Sequence, residues 1–191
     1  MPARTRALKK ILITFGALLV AVVFASLVNR DNAATYELSN DVANSSNGIA
    51  TNTDNKGSQL AEVELQTVLG ETISTSSLVG APSIINIWYS TCEPCRRELP
   101  VLAQGAFKYG ERIRFIGINI KDSAKVATEF AAEYGVKFEI FLDANGAFIS
   151  ASGVSTAPVT LAVNPQGLIV NQIAGELSTA KLDELVSELL K

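Results

Sequence analysis

The chain has 191 residues, 48% of them hydrophobic, and a formal net charge of -3. That suits one ordinary domain with an appendage, and it leaves no basic face of the kind that follows phosphates, so nucleic acid is not an expected partner. There is no histidine, which excludes Ser/His and Cys/His nucleophile pairs, and two cysteines alone fall short of the usual zinc ligand sets, so no metal is expected.

The amino-terminal residues 1–10 carry Arg4, Arg6, Lys9 and Lys10 without an acid, and Ile11 to Val28 then run apolar and uncharged up to Arg30. As a helix this run would rise about 27 Å, close to the thickness of a bilayer's hydrocarbon core. The cations before it keep the amino end in the cytoplasm. The expectation is a single-pass anchor over 11–28 in the cell membrane, with a short cytoplasmic basic segment and the rest of the chain extracytoplasmic. A cleaved signal peptide, with small residues around Val23-Phe24-Ala25, is the competing reading and also exports the body. Residues 29–59 turn to Asn, Ser, Thr, Asp and Gly with no period in their apolar residues, which reads as a disordered tether.

From residue 60 onward, short strand patterns alternate with helical ones, the signature of an α/β domain over 60–191. Val63 to Val68 alternates and turns at Gly70-Glu71 toward Thr72-Ile73, predicting a leading β-hairpin. Ser83 to Trp88 is apolar and β-branched enough for a buried strand. A helix is expected from Cys92 to about Tyr109, kinked or interrupted near its first turns by Pro100. Arg114 to Ile120 is a second buried strand. Asp122 or Ser123 caps a helix through Val126, Phe130, Ala131 and Tyr134, closed by Gly135, and Phe138 to Leu142 is a third strand. Val159–Val163 and Leu168–Ile173 flank the turn Asn164-Pro165-Gln166-Gly167 and form a second hairpin. Ser178 caps a last helix whose Leu182, Leu185, Val186, Leu189 and Leu190 make one apolar stripe.

The chemistry concentrates in Cys92-Glu93-Pro94-Cys95. A strand that runs into Cys-x-x-Cys and then a helix puts the first sulfur at the helix amino-terminus, where free N–H groups stabilise a thiolate. Cys92 is therefore expected to be the exposed nucleophile and Cys95, one turn later and facing inward, the resolving thiol. Pro94 costs no intrahelical bond there and stiffens the ring. Glu93 places a carboxylate near the sulfurs and disfavours the thiolate, whereas Arg96 and Arg97 pull the other way. A bridge closing so short a ring removes little chain entropy, so a purely structural disulfide is a weak explanation of the pair.

The stretch Asn86-Ile87-Trp88-Tyr89-Ser90-Thr91-Cys92-Glu93-Pro94-Cys95-Arg96-Arg97-Glu98-Leu99-Pro100 resembles the active-site region of the TlpA/ResA-type membrane-anchored thioredoxin-like proteins. The resemblance covers about residues 60–191. It implies a thioredoxin-like fold, a central mixed sheet with helices on both faces and an amino-terminal β-hairpin extension, here preceded by one transmembrane helix and a flexible tether. Matched by position, Trp88 begins the family's aromatic loop, and Thr91 stands where a second tryptophan usually precedes the first cysteine. Asn86 replaces the buried carboxylate of thioredoxins proper, which leaves Glu98 as the candidate for proton traffic around Cys95. Thr156-Ala157-Pro158-Val159-Thr160 resembles the cis-proline strand, with Pro158 the cis residue and Ala157 pairing with an incoming peptide.

The expected function is a thiol–disulfide oxidoreductase, with Cys92, Cys95 and Glu98 catalytic and Trp88, Thr91, Glu93, Pro94, Ala157 and Pro158 receiving the substrate. Its cofactor is none beyond the redox-active disulfide, and the expected state is a monomer. The resemblance implies substrates among exported protein thiols or disulfides, such as apocytochrome c, and electrons from a transmembrane thiol donor. A thiol oxidase in disulfide formation, a thioredoxin-like peroxidase and a non-catalytic binding module are the alternatives. Adjacent cysteines fit the peroxidase poorly, because that chemistry uses a lone peroxidatic cysteine with a distant partner.

Overall fold

The computed structural model describes residues 51–191. The basic segment 1–10, the anchor expected over 11–28 and the tether as far as residue 50 lie outside the described residues. Among the described residues, no helix is long and apolar enough to cross a membrane.

Among the described residues, seven strands form one mixed sheet in the order β2-β1-β5-β4-β3-β6-β7. The strands are β1 (Glu64–Thr67), β2 (Thr72–Ser74), β3 (Ser83–Trp88), β4 (Arg114–Asn119), β5 (Glu139–Leu142), β6 (Val159–Val163) and β7 (Ile169–Ala174). β3, β4 and β5 run parallel, and the other pairs are antiparallel. The helices are α1 (Glu93–Tyr109), α2 (Ala124–Glu133), α3 (Ala147–Ser152) and α4 (Thr179–Leu189). This is the thioredoxin-like α/β architecture, and the leading hairpin β1-β2 extends the sheet by pairing β1 with β5.

Strand alternation sorts the core into two layers. Ile84 and Trp88 face one side, where α1, α2 and α4 bring Leu99, Leu102, Ala127, Ala131, Leu182, Leu185 and Val186. Ile85 and Ile87 face the other, covered by Leu65, by Leu78 of the 3-10 turn Thr75–Leu78 and by Phe148 of α3. Both faces are covered, but unequally: three longer helices lie on one, and a short helix with irregular chain on the other. All of β3 is buried, as a strand must be when it lies mid-sheet between two such layers.

The strands expected at 83–88, 114–120, 138–142 and in the second hairpin form there to within a residue or two. Ser123 and Ser178 cap α2 and α4 through hydrogen bonds accepted from Val126 and Lys181 N–H. Pro100 does not interrupt α1, which runs through it as one helix. The loss there is confined to the bond Pro100 cannot donate to the carbonyl of Arg96, while Leu99 and Leu102 on either side hold the helix against the core. The exposed Val126 shows that the buried stripe of α2 is Ala127 and Ala131. Helix α3 was not expected from the pattern.

Residues 51–59, expected to belong to the disordered tether, are ordered. Residues 51–59 lie along the domain: Thr53 N–H donates to Gly153 C=O, Gly57 N–H to Ile169 C=O, and Gln59 bridges Leu168. Asn55 is buried, its amide donating to Ser152 C=O at 3.0 Å and to Gln172 Oε1 at 3.0 Å. The reason is that this segment is held by side-chain amides rather than by apolar area, so its polar composition resembled a free chain. Asn55→Ala is expected to lower stability by about 1–3 kcal/mol in urea unfolding, because it orphans buried partners, whereas a tether residue would give no change.

Candidate active site

The buried strand β3 ends at Trp88, and the chain passes over the carboxyl edge of the parallel strands, the place where open α/β sheets carry their sites. The loop is pinned from the next strand. Asp122, just past β4, accepts from Ser90 N–H at 2.7 Å, from Ser90 Oγ at 2.7 Å and from Asn119 Nδ2 at 2.8 Å. Burial pushes the Asp122 carboxyl up, but these bonds outweigh it and hold its pKa below the usual value. Cys92 N–H donates to Tyr89 C=O at 3.2 Å, which completes the tight approach to the helix.

Cys92 and Cys95 form a disulfide. Cys92 is the N-cap of α1, and its sulfur accepts from Cys95 N–H at 3.3 Å, a first-turn donor that has no carbonyl partner within the helix. In this oxidised state Cys92 is only 4% exposed and Cys95 is fully buried. The nucleophile expected to be exposed is thus nearly covered, because the ring folds it back against the helix end.

Glu98 is fully enclosed. Its Oε1 accepts from Asn86 Nδ2 at 2.8 Å and its Oε2 from Leu177 N–H at 2.8 Å. Burial pushes its pKa from 4.5 up to about 7, against the two hydrogen bonds. It follows Cys95 by three residues on α1 and so shares its helix face. Asn86 also donates to Thr160 Oγ1 at 3.1 Å, while its own Oδ1 has no partner. Thr160 and the Leu177 N–H are members of this network that the sequence reading did not single out. The register that sets Thr160 opposite Asn86 and the chain return that supplies residue 177 are properties of the fold.

Glu93 is exposed and turned outward to Arg97 at 3.5 Å and Arg96 at 3.9 Å. Arg97 in turn pairs with Glu176 at 2.7 Å, and Arg96 reaches Tyr134 Oη and the Phe130 ring. Trp88, expected among the substrate-receiving residues, is 1% exposed and stacks on Phe130 with centroids 5.8 Å apart. It supports the loop from inside the core and offers no surface to a docking chain. Gly117 on β4 makes room for it, since a Cβ there would lie 2.8 Å from the indole nitrogen. Thr91 is exposed, Pro94 and Ala157 are half-buried, and Pro158, expected to receive the substrate, is buried. The Ala157–Pro158 peptide is cis, as the resemblance implied.

The geometry is a dithiol/disulfide at a helix amino-terminus with a buried carboxyl one turn behind, an arrangement able to exchange disulfides and move a proton. A family model described as the AhpC/TSA family matches residues 57–172. The thiol–disulfide oxidoreductase ResA of Bacillus subtilis (strain 168) is 28% identical over 134 residues, covering 69% of this chain and 74% of that protein. ResA of Halalkalibacterium halodurans is 29% identical over 136 residues, covering 71% and 77%. The structure of Mycobacterium tuberculosis DsbF in mixed oxidized and reduced forms is similar with a TM-score of 0.61 at 28% identity, covering 66% of this chain and 94% of that one.

An acid whose pKa rises on folding holds its proton more tightly in the native state. The stability linked to Glu98 is therefore full below its ordinary pKa of 4.5 and is lost as pH rises through about 7. The oxidised protein is expected to lose up to about 3 kcal/mol across that window, and Glu98→Gln to flatten the slope, as read by urea unfolding at a series of pH values. An unchanged slope in the variant would assign the dependence to another group.

Proposed function

The chain belongs to the AhpC/TSA family and is a thiol–disulfide oxidoreductase of thioredoxin-like fold, and from that premise we propose that it reduces disulfides of exported proteins on the outer side of the membrane. In the reaction, the reduced Cys92 thiolate attacks one sulfur of the substrate disulfide and expels the other as a thiolate, which takes a proton. Cys95 then loses its proton and attacks Cys92, releasing the second substrate thiol and leaving the Cys92–Cys95 disulfide. Two electrons pass to the substrate, and a donor dithiol restores them by the same exchange.

The observation that carries the reading is Glu98, buried one turn from Cys95 with a pKa near neutrality. Such a carboxyl can take the proton that Cys95 must shed. When ionised, it also disfavours a thiolate beside it, and a reduced form that is not stabilised as thiolate makes a reductant rather than an oxidant. The cations that would oppose this are engaged elsewhere, Arg97 by Glu176 and Glu93, and Arg96 by Tyr134 and Phe130. Thr91, Pro94 and Ala157 supply the accessible receiving surface, the buried cis-Pro158 sets the backbone of Ala157 from beneath, and the open position left at Thr91 shapes partner choice.

The basic start and apolar run of residues 1–28 support a membrane anchor with the catalytic domain outside, where a reductant needs electrons from a transmembrane thiol carrier. The family resemblance favours apocytochrome c cysteines, before haem attachment, among the substrates; the working state proposed is a monomer. Cys95→Ser is expected to accumulate mixed disulfides through Cys92 in cells, and the wild-type pair to equilibrate near about −270 mV. A potential near about −120 mV would overturn the reducing direction. Carbonate-washed membranes are expected to retain the protein; a soluble form beginning near Ser26 would overturn the anchor.

A further inference from the structure

We propose that Asn52 is a positioning residue for the loop Ser155–Pro158, so that capture of a polypeptide substrate depends on the segment that leads into the domain. The inference rests on the reading above, in which Ala157 and cis-Pro158 receive the incoming chain. All four hydrogen-bonding positions of the Asn52 amide are used, and all fall on two consecutive residues. Its Oδ1 accepts from Ser155 N–H at 2.7 Å and from Thr156 N–H at 2.8 Å. Its Nδ2 donates to Thr156 C=O at 2.9 Å and to Thr156 Oγ1 at 3.1 Å. The next residue is Ala157, whose own N–H and C=O have no partner among the described residues.

The neighbours of Asn52 seat it. Ser155 Oγ donates to Thr51 C=O at 3.2 Å, and Thr53 N–H donates to Gly153 C=O at 3.0 Å. Gly153 has a φ of 63° and lies so close to Thr53 that a Cβ there would collide with the threonine side chain, so this approach requires glycine. Behind it, Gln172 Nε2 of β7 donates to Thr53 C=O at 2.7 Å and Asn55 is buried against Ser152. Residues 51–55 thus form a brace fixed to the sheet on one side and to the docking loop on the other.

Ser155 and Thr156 are exposed, so without Asn52 water takes over their hydrogen bonds and the loop loses its orientation rather than its solvation. The cost then appears when a chain must be aligned on Ala157, as ordering of the loop at the moment of binding. A small disulfide that meets only the Cys92 sulfur does not touch the loop and does not incur that cost.

The test uses the reduced full-length protein in single-turnover oxidation by two probes, a disulfide-cyclised peptide and hydroxyethyl disulfide, quenched by thiol alkylation and read by mass. Asn52→Ala is expected to raise the half-saturating peptide concentration about tenfold, with the limiting rate and the hydroxyethyl disulfide rate changed by less than about twofold. Asn52→Asp keeps the two bonds accepted from Ser155 and Thr156 and is expected to recover most of the loss, which also covers the case in which the alanine variant does not fold. Equal slowing with both probes, or no change with the peptide, would overturn the proposal. Ala157→Pro removes the N–H offered to the peptide. If it slows the peptide while Asn52→Ala does not, the positioning role alone fails; if it leaves the peptide unaffected, the docking reading itself fails.

Discussion

Strand β3 is buried along its whole length, and that burial is the constraint from which the rest of the molecule follows. A strand packed on both faces, paired with β4 on one side and β6 on the other, has no freedom to slip, since a shift of one residue would carry Ile84 and Trp88 into the layer of Ile85 and Ile87. Its last residue is therefore a fixed point. Four residues later Cys92 caps α1, and the Asp122 bonds to Ser90 tie the intervening chain to the end of β4. The reactive sulfur is thus located by the sheet through a short, doubly held connection.

Two glutamates in the same helix illustrate how position decides chemistry. Glu93 and Glu98 are separated by little more than a turn, yet Glu93 lies in solvent among arginines and Glu98 in the core between an asparagine amide and a backbone N–H. Ion pairs of the first kind are screened and contribute little. The second kind alters a proton equilibrium because there is no water to stabilise the charge. Glu93 is the nearer to the cysteines in sequence, yet it is Glu98 that shares the helix face of Cys95.

Much of this was legible in the residues. The strands announced themselves through β-branched apolar runs, the caps through serine before a helical period, and the dithiol through its spacing at a strand-to-helix junction. The resemblance then pointed to Glu98, which is buried behind Cys95, and to the cis peptide at Pro158. What was not legible lacked an apolar or periodic signal. Helix α3 is six residues long, caps itself with Asp143 accepting from Phe148 and Ile149 N–H, and buries chiefly Phe148, too little for a period to register. The ordered start at residues 51–59 depends on amide hydrogen bonds to partners a hundred residues away. Trp88 was expected among the substrate-receiving residues because it begins the aromatic loop, although its own side chain packs into the layer beneath.

The hydrogen bond from Leu177 to Glu98 joins positions 79 residues apart, and this has a consequence for the order of synthesis. Domains are made from the amino end, so the dithiol and most of the sheet leave the ribosome well before residue 177. Until that residue arrives and α4 closes over α1, Glu98 lacks one of its two donors and a large part of its apolar cover. The nascent chain therefore carries two cysteines with an unfinished proton partner. The enclosure that sets the Glu98 proton equilibrium is thus completed late, by a backbone amide that takes no part in the exchange.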